Sequence, residues 1–516
     1  MKIVSVAEMR ALEAAAFAAG TSEAGLQQRA GQAVAEEVFR LVQPDDRVVV
    51  LVGHGNNGRD GAVAAEWLSR HRVPVDLVLA PRHAVSVDEL AHLRAGGAVV
   101  ISYADDAGLA QALRGARVAI DALAGIGTRG ALREPLASLA AQLNAAREER
   151  RGRLRVVAVD VPSGIDVDSG DLPGAAVWAD CTVTLGSVKQ GLLRFPAAER
   201  VGSLTPREIG IPAAAEAALP YTLLDEPALG RLVPSRPLDA HKYRFGRVLV
   251  AAGADHFLGA PVLCAGGALR AGAGLVMVAS TRDVRLNIAA HLPEVTFTER
   301  DILSSDGAAA ARLLASPLES ASAVVLGPGL GRGPGVSAFV AELLRLRPAE
   351  RRIVVDADGL VALSEIPDWP TLLGPNAVLT PHGGELERLV GHPIDTDEPA
   401  WVLASRLAVE WGCVLIAKGP FTCVAAPDGR VDVWPHANPA LATGGTGDVL
   451  AGLCGGLLAQ GVAVWDGARL AVGVHGLAAA CVVRGRQWRT LLASDLLQEI
   501  PAVLEALAQT STKSRP

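Results

Sequence analysis

An alternation, run through twice, limits this chain more than any other feature. Short β-branched runs at 47–52, 75–79, 98–101, 117–121, 155–161 and 181–185 are separated by stretches with helical spacing of apolar residues. Past residue 241 the pattern resumes, with runs at 247–252, 275–280, 323–327, 352–356, 377–380, 413–417 and 422–426. A helix after each strand returns the chain to the same end of the sheet, so such strands pair in parallel. The expected class is α/β, in two successive doubly wound domains whose ligands bind beyond the carboxyl ends of the strands. Two helical patterns within 5–42 precede the first run, and no internal repeat aligns the halves.

At 516 residues the chain exceeds one ordinary core. The stretch 210–238 holds five prolines and reads as a connector with little structure of its own. The expected division is therefore a domain at 1–210, a linker at 211–234, a second domain at 235–508 and a polar tail at 509–516. Half the residues are hydrophobic and a fifth charged, as in a globular protein. A net charge of −7 gives no reason to expect nucleic acid or an anionic membrane as partner. Six cysteines without a Cys-x-x-Cys pair argue against a zinc site or a disulfide scaffold and suit a reducing compartment. Glu8, Arg10 and Glu13 interrupt any secretory apolar segment. The longest apolar runs, near 449–465 and 470–483, are broken by Gln460 and His475; they are expected to fall short of a membrane span and to be buried helices. The expected location is the cytoplasm.

The stretch 438–461 carries the most chemistry: Asn-Pro-Ala-Leu-Ala-Thr-Gly-Gly-Thr-Gly-Asp, then a long apolar run that reads as a helix. Gly444, Gly445 and Gly447 let backbone approach a ligand, and free N–H groups at the helix start favour an anion. Asp448 sits at that mouth. A carboxylate there suits a general base that takes a proton from a hydroxyl aligned with a phosphoryl group; an N-capping Asp after a flexible turn is the structural alternative. Only five of the 48 basic residues are Lys, so Lys189, Lys242 and Lys418 are marked choices in an Arg-rich chain.

In the first domain the loop Gly53-His54-Gly55-Asn56-Asn57-Gly58-Arg59-Asp60-Gly61 follows a strand and leads into a helix. Two more strands end in acids, Asp121 before Ala-Leu-Ala-Gly-Ile-Gly-Thr-Arg-Gly and Asp160 before Val-Pro-Ser-Gly-Ile-Asp. Asn57, Asp121 and Ser163 offer hard oxygen ligands, suited to an alkali or alkaline-earth cation. The bland reading is that these glycines only make tight turns.

Taken in order, Gly-x-Gly-Asn-Asn-Gly-x-Asp-Gly, Asp-Ala-Leu-x-Gly-x-Gly, Asp-x-Pro-Ser-Gly and Val-Thr-Leu-Gly-Ser-Val-Lys-Gln-Gly-Leu make residues 1–210 resemble the NAD(P)H-hydrate epimerase domain. The resemblance implies a Rossmann-like fold and interconversion of the R and S epimers of hydrated NADH and NADPH. It implies K+ at Asn57, Asp121 and Ser163. It places Asn56, Asn57, Gly58, Arg59, Asp60, Gly125, Ile126, Gly127, Thr128, Arg129, Gly130, Ala131 and Asp160 against the hydrate, with Asp160 as the acid–base. Arg59 stands where the family usually has Gly; a cation there either clamps a phosphate or crowds the loop. Lys189 either neutralises the dinucleotide's phosphates or snorkels at a strand end.

In the second domain Gly327-Pro328-Gly329-Leu330-Gly331 offers a turn against which a flat ring can lie. His382, in Thr-Pro-His-Gly-Gly-Glu, can bond an amide or a phosphate, and Lys418 and Thr422 end a tight turn suited to phosphate. With Gly-Gly-Thr-Gly-Asp, these motifs make 235–508 resemble the ribokinase-like superfamily, nearest to its ADP- or ATP-dependent NAD(P)H-hydrate dehydratases. The resemblance implies that Ala260, Gly329, His382 and Asp448 meet the hydrate. It implies that Lys418, Gly419, Pro420, Phe421, Thr422 and Gly447 hold ADP or ATP, with Mg2+ on the phosphates. Asp448 would activate the C6 hydroxyl for phosphorylation, and the phosphate ester would then eliminate to leave AMP, phosphate and NAD(P)H. Gly383 replaces the family's usual Pro, and Tyr243-Arg244 replaces the usual residues after His241-Lys242; neither change removes a reacting group.

One domain would make the epimer the other consumes, which favours a bifunctional repair enzyme. A ribokinase-like kinase of a small alcohol, or a nucleotide-binding regulatory protein with dead sites, are the alternatives. Relatives of the dehydratase domain assemble, so a homo-oligomer is expected.

Overall fold

The computed structural model describes residues 1–81, 83, 85–103, 106–299, 301, 306–484 and 488–513. The chain divides into two compact units, Met1–Leu219 and Pro220–Pro516.

In the first unit the strands are β1 (Ile3–Val4), β2 (Arg47–Val52), β3 (Val75–Leu79), β4 (Val99–Ser102), β5 (Ala116–Ala122), β6 (Arg155–Val159), β7 (Cys181–Leu185), β8 (Val188–Lys189) and β9 (Ser203–Arg207). Seven form a sheet in the order β4-β3-β2-β5-β6-β7-β9, and β1 pairs with β8. Every pair is parallel. Alternate residues of β2 feed opposite faces: Val48, Val50 and Val52 join one core, Val49 and Leu51 the other. That explains why a buried parallel strand reads as an unbroken apolar run. The chain leaves β2 in one direction for β3 and β4, then returns to β5 on its other side, so the order reverses between β2 and β5. Ligand sites form at such reversals.

In the second unit the strands are β10 (Tyr221–Leu223), β11 (Arg247–Ala251), β12 (Leu275–Ala279), β13 (Thr296–Phe297), β14 (Ala323–Leu326), β15 (Arg352–Val355), β16 (Ala377–Leu379), β17 (Val414–Ala417), β18 (Cys423–Ala425) and β19 (Val431–Val433). Their order is β10-β19-β18-β17-β16-β15-β14-β11-β12-β13, with the reversal between β11 and β14. Only β18 runs antiparallel to its neighbours. The helices Ala260–Arg270 and Thr446–Ala459 pack backbone to backbone. A Cβ on Gly452 would lie 1.9 Å from the Cys264 carbonyl oxygen, and one on Gly267 would lie 2.5 Å from that of Val449.

Three expectations need correction. The stretch 210–238 is not a bare connector. It holds the helix Ala213–Glu216, the edge strand β10 paired with β19, and the helix Glu226–Gly230, whose Leu229 is fully buried. Proline is tolerated in a first helical turn and beside an edge strand, so its density here did not mean disorder. The expected tail is also shorter, because the helix Ala493–Lys513 runs through 509–513; residues 514–516 lie outside the described residues. Finally, the helix Val464–Val483 begins earlier than its apolar run and is long and apolar enough to cross a membrane by length and composition. Two-thirds of its apolar window is buried in the unit, as in a core helix (67%).

Candidate active sites

The first site is a cavity of about 680 Å³ at the carboxyl ends of β2, β5 and β6. Its floor depends on glycine packing. A Cβ on Gly53 would lie 1.8 Å from the Leu123 carbonyl oxygen, and one on Gly58 would lie 2.3 Å from that of Gly53. The helix Asn56–Arg70 is thereby pressed onto the ends of β2 and β5, with Asn57 and Asp60 turned inward and buried.

Asp121, wholly buried at the end of β5, accepts from the Ser163 hydroxyl at 2.6 Å and from the Ser163 amide at 2.8 Å. Ser163 Oγ in turn accepts from the Ala124 amide, and Asn57 Nδ2 donates to the Ala124 carbonyl. Asn57, Asp121 and Ser163 thus converge on one short loop. Burial pushes Asp121 up to about 6 against these hydrogen bonds, and no ion pair reaches it among the described residues.

Asp160 follows β6 with φ of +64°, a left-handed conformation that turns its carboxylate back toward β7. There it accepts from the Leu185 amide at 2.9 Å and pairs with the Lys189 ammonium. Lys189 is 1% exposed and also donates to the Leu185 carbonyl at 2.6 Å. Lys189 therefore does not snorkel: its ammonium is paired with Asp160 at the wall of the cavity. Across the same cavity, burial and then the Asp160 charge lift Asp60 well above its ordinary range, and burial also raises Glu13.

Of the residues expected against a ligand, Asn56, Asn57, Asp60, Gly125, Ile126, Gly127, Thr128, Arg129, Ala131 and Asp160 line this cavity. Gly58, Arg59 and Gly130 do not. Gly58 serves packing, and Arg59 is exposed, with its charge felt by Glu89 instead.

The second site lies at the carboxyl edge of the other sheet. Gly445 takes φ of +91° and starts the helix Thr446–Ala459, which carries Asp448 in its first turn. His475, from the helix Val464–Val483, holds the Thr446 carbonyl at 2.9 Å. Burial, followed by the Asp356 charge, pushes Asp448 up to about 7, with Lys418 pulling the other way. Lys418 pairs with Asp356 at 2.8 Å and approaches Glu385 at 3.8 Å, and Thr380 donates to Asp356 at 2.6 Å. Burial opposes the Lys418 charge, yet these acids hold its pKa above the usual value. A Cβ on Gly447 would lie 3.4 Å from the Lys418 amine and 3.8 Å from an Asp356 carboxylate oxygen, so Gly447 stands directly beside that pair. The turn Gly419 to Thr422 joins β17 to β18 beside this cluster.

His382 N-caps the helix Gly383–Val390, its Nδ1 accepting from Gly384 while Glu385 bonds the His382 amide. It lines an open cavity of about 620 Å³ with Arg332, Asp358 and Arg388. Gly329 takes φ of +64°, and a Cβ there would lie 2.7 Å from that of Phe257 and 3.1 Å from that of Ala260, so this turn packs against the start of the helix Ala260–Arg270; neither Gly329 nor Ala260 lines the cavity that His382 borders.

Two family models match this chain: YjeF-related protein N-terminus over 23–191, and NAD(P)H-hydrate dehydratase over 248–502. The bifunctional NAD(P)H-hydrate repair enzyme Nnr of Salinibacter ruber is 37% identical over 93% of this chain and 91% of its own length. That of Thermofilum pendens is 34% identical over 99% and 97%. The chain belongs to the bifunctional NAD(P)H-hydrate repair enzymes. A ribokinase-like superfamily protein from Enterococcus faecalis covers 56% of this chain and 97% of its own, with 24% identity and a TM-score of 0.50, and so shares the fold of the second unit. In this repair enzyme, then, an epimerase unit precedes a dehydratase unit.

Sequence reasoning passed over Asp356 and Glu385, and it missed the pairing of Lys189 with Asp160. Asp356 carried a signal, an acid closing an otherwise apolar strand. The partnership with Lys418 did not, because 62 residues separate them.

Proposed function

We propose that each unit works through one carboxylate set beside a lysine ammonium: Asp160 with the buried Lys189 for epimerisation, and Asp448 near the half-buried Lys418 and Asp356 for dehydration. That repeated arrangement is the observation that carries the residue assignment. The substrates would be hydrated NADH and NADPH, with ADP or ATP as co-substrate, in a cytoplasmic homo-oligomer.

In the first unit Asp160 would exchange the proton of the C6 hydroxyl. K+ suits Asn57, Asp121 and Ser163, because a wholly buried carboxylate without an ion pair among the described residues lacks a counter-charge and every converging donor is a hard oxygen. Bound there, it would neutralise Asp121 and stiffen the loop that carries Gly125 to Ala131.

In the second unit Asp448 would take the C6 hydroxyl proton as that oxygen attacks the terminal phosphate of ADP. The N–H groups around Gly447 and the Lys418 ammonium would steady the charge of the transferring group. Mg2+ would supply charge neutralisation on the nucleotide phosphates. The C6–O bond of the new phosphate ester would then break, pushed by the ring nitrogen's lone pair, because phosphate leaves far more readily than hydroxide, and loss of a C5 proton to the released phosphate or to water would form C5=C6 and restore the reduced ring. His382, Gly329 and Ala260 would border the hydrate.

Two variants test the assignment. Asp448→Asn should lower dehydration on the order of a hundredfold or more while nucleotide still binds. Asp160→Asn should stop epimerisation and spare dehydration of the S epimer. Near-normal dehydration in Asp448→Asn, or joint loss of both activities in either variant, would contradict it.

A further inference from the structure

Epimerisation of a hydrated nicotinamide is a two-proton problem. Its C6 bears both a hydroxyl and the ring nitrogen N1, so it is a hemiaminal, and inversion requires one bond to C6 to open and re-form on the other face. Opening C6–N1 needs a base at the hydroxyl and an acid at the nitrogen. Asp160 supplies one group, and a carboxylate locked to an ammonium is poorly placed to supply the other.

Asp60 is the candidate for it. The helix Asn56–Arg70 turns it inward, 9% exposed, onto the cavity that Asp160 and Lys189 also line. Its Oδ1 is buried without a hydrogen-bond partner among the described residues, a state that a polar group rarely keeps unless something else completes it. Asp160 and Lys189 are close enough for their charges to act on it. We propose that Asp60 is the proton donor of the epimerisation, set against Asp160 as the base. The inference rests on the reading of the first unit as the epimerase.

The steps balance. Asp160 takes the hydroxyl proton, C6=O forms, C6–N1 breaks, and its electron pair goes to N1, which receives the proton of Asp60. The open aldehyde turns about C5–C6. N1 then attacks the other face, its proton returns to Asp60, and Asp160 gives its proton to the oxygen. Nothing is oxidised or consumed. The surroundings fit: burial and the neighbouring Asp160 charge raise the Asp60 pKa well above its ordinary range, which favours the proton-bearing form a donor needs, and Asp160 lies against the Lys189 ammonium.

The test uses the full chain and R-NADH hydrate, with nucleotide omitted so that the second unit is silent, and follows the S epimer by chromatography. Asp60→Asn should lower kcat on the order of a hundredfold or more, with KM changed only a fewfold and dehydration of the S epimer, assayed separately with ADP and Mg2+, intact. Wild-type kcat should fall on the alkaline side, and that limb should vanish from the residual activity of Asp60→Asn. Glu13 and His54 also face the cavity, together with Asp160 and Lys189, so the limb is assigned only by that comparison. An Asp60→Asn kcat within threefold of wild type, with Asp160→Asn inactive, would overturn the role of Asp60 and leave the epimerase reading standing. Wild type that interconverts the epimers no faster than buffer would overturn that reading itself. Should Asp60→Asn not fold, Asp60→Glu takes its place in the comparison: an alkaline limb that moves with the substitution supports the donor, and a limb that stays where it is, or a flat alkaline side in wild type, overturns it.

Discussion

Burial and the Asp356 charge lift Asp448 to about 7, which leaves it divided between acid and base forms at neutral pH. As a base it acts only when ionised, so kcat/KM for dehydration should rise tenfold per pH unit below about 7 and level off above it. A profile flat between mildly acidic and neutral pH would contradict its role. The same shift bears on stability with a definite sign. The folded state binds this proton more tightly than the unfolded chain does, so Asp448 costs stability as pH rises from its ordinary value of 3.8 through about 7. Asp448→Asn should therefore unfold at a higher temperature than wild type above neutral pH, as expected where a site is strained for function. Asp448 and Asp160 stand out in the sequence because each acid lies close to glycines at one end of an apolar run, Asp448 before it and Asp160 after it. Lys189 and Asp60 were only partly so. Their motif positions were visible, but the burial that makes one a counter-ion and leaves Oδ1 of the other without a hydrogen-bond partner among the described residues arises when β6, β7 and the helix Asn56–Arg70 meet.

At the scale of elements, the second site depends on how closely the helix bearing Asp448 lies against its neighbour. Gly452 admits the Cys264 carbonyl, and Gly456 faces that of Ala268, where a Cβ would come within 2.6 Å. Gly452→Ala forces a backbone shift and should cost about 1–3 kcal/mol. The readout is thermal inactivation of dehydration, expected to move down by several degrees while epimerisation keeps its wild-type profile; an unchanged inactivation curve would remove the packing argument. The strands were largely legible, because a parallel strand buried on both faces must be continuously apolar, and runs such as 47–52 and 181–185 coincide with β2 and β7. The short strands β1, β8, β10, β13 and β19, and the five-residue β9, were not, since their residues form no apolar β-branched run of their own. Pairing with a neighbour, rather than their own composition, makes them strands.

The whole molecule joins two chemistries that need each other. Hydration of NADH and NADPH is not stereoselective, and a dehydratase that accepts one epimer would strand the rest of the damaged pool. An epimerase on the same chain returns that remainder to use, and it explains why one family retains both units. The most direct measurement mixes the purified protein with an equilibrated mixture of R- and S-NADH hydrate, Mg2+ and ADP, and follows NADH absorbance together with nucleotide products. The account predicts complete recovery of NADH, with one AMP formed for each hydrate repaired. Recovery that halts with the R epimer left over would contradict the first site, and a phosphorylated product that persists without NADH would contradict the second.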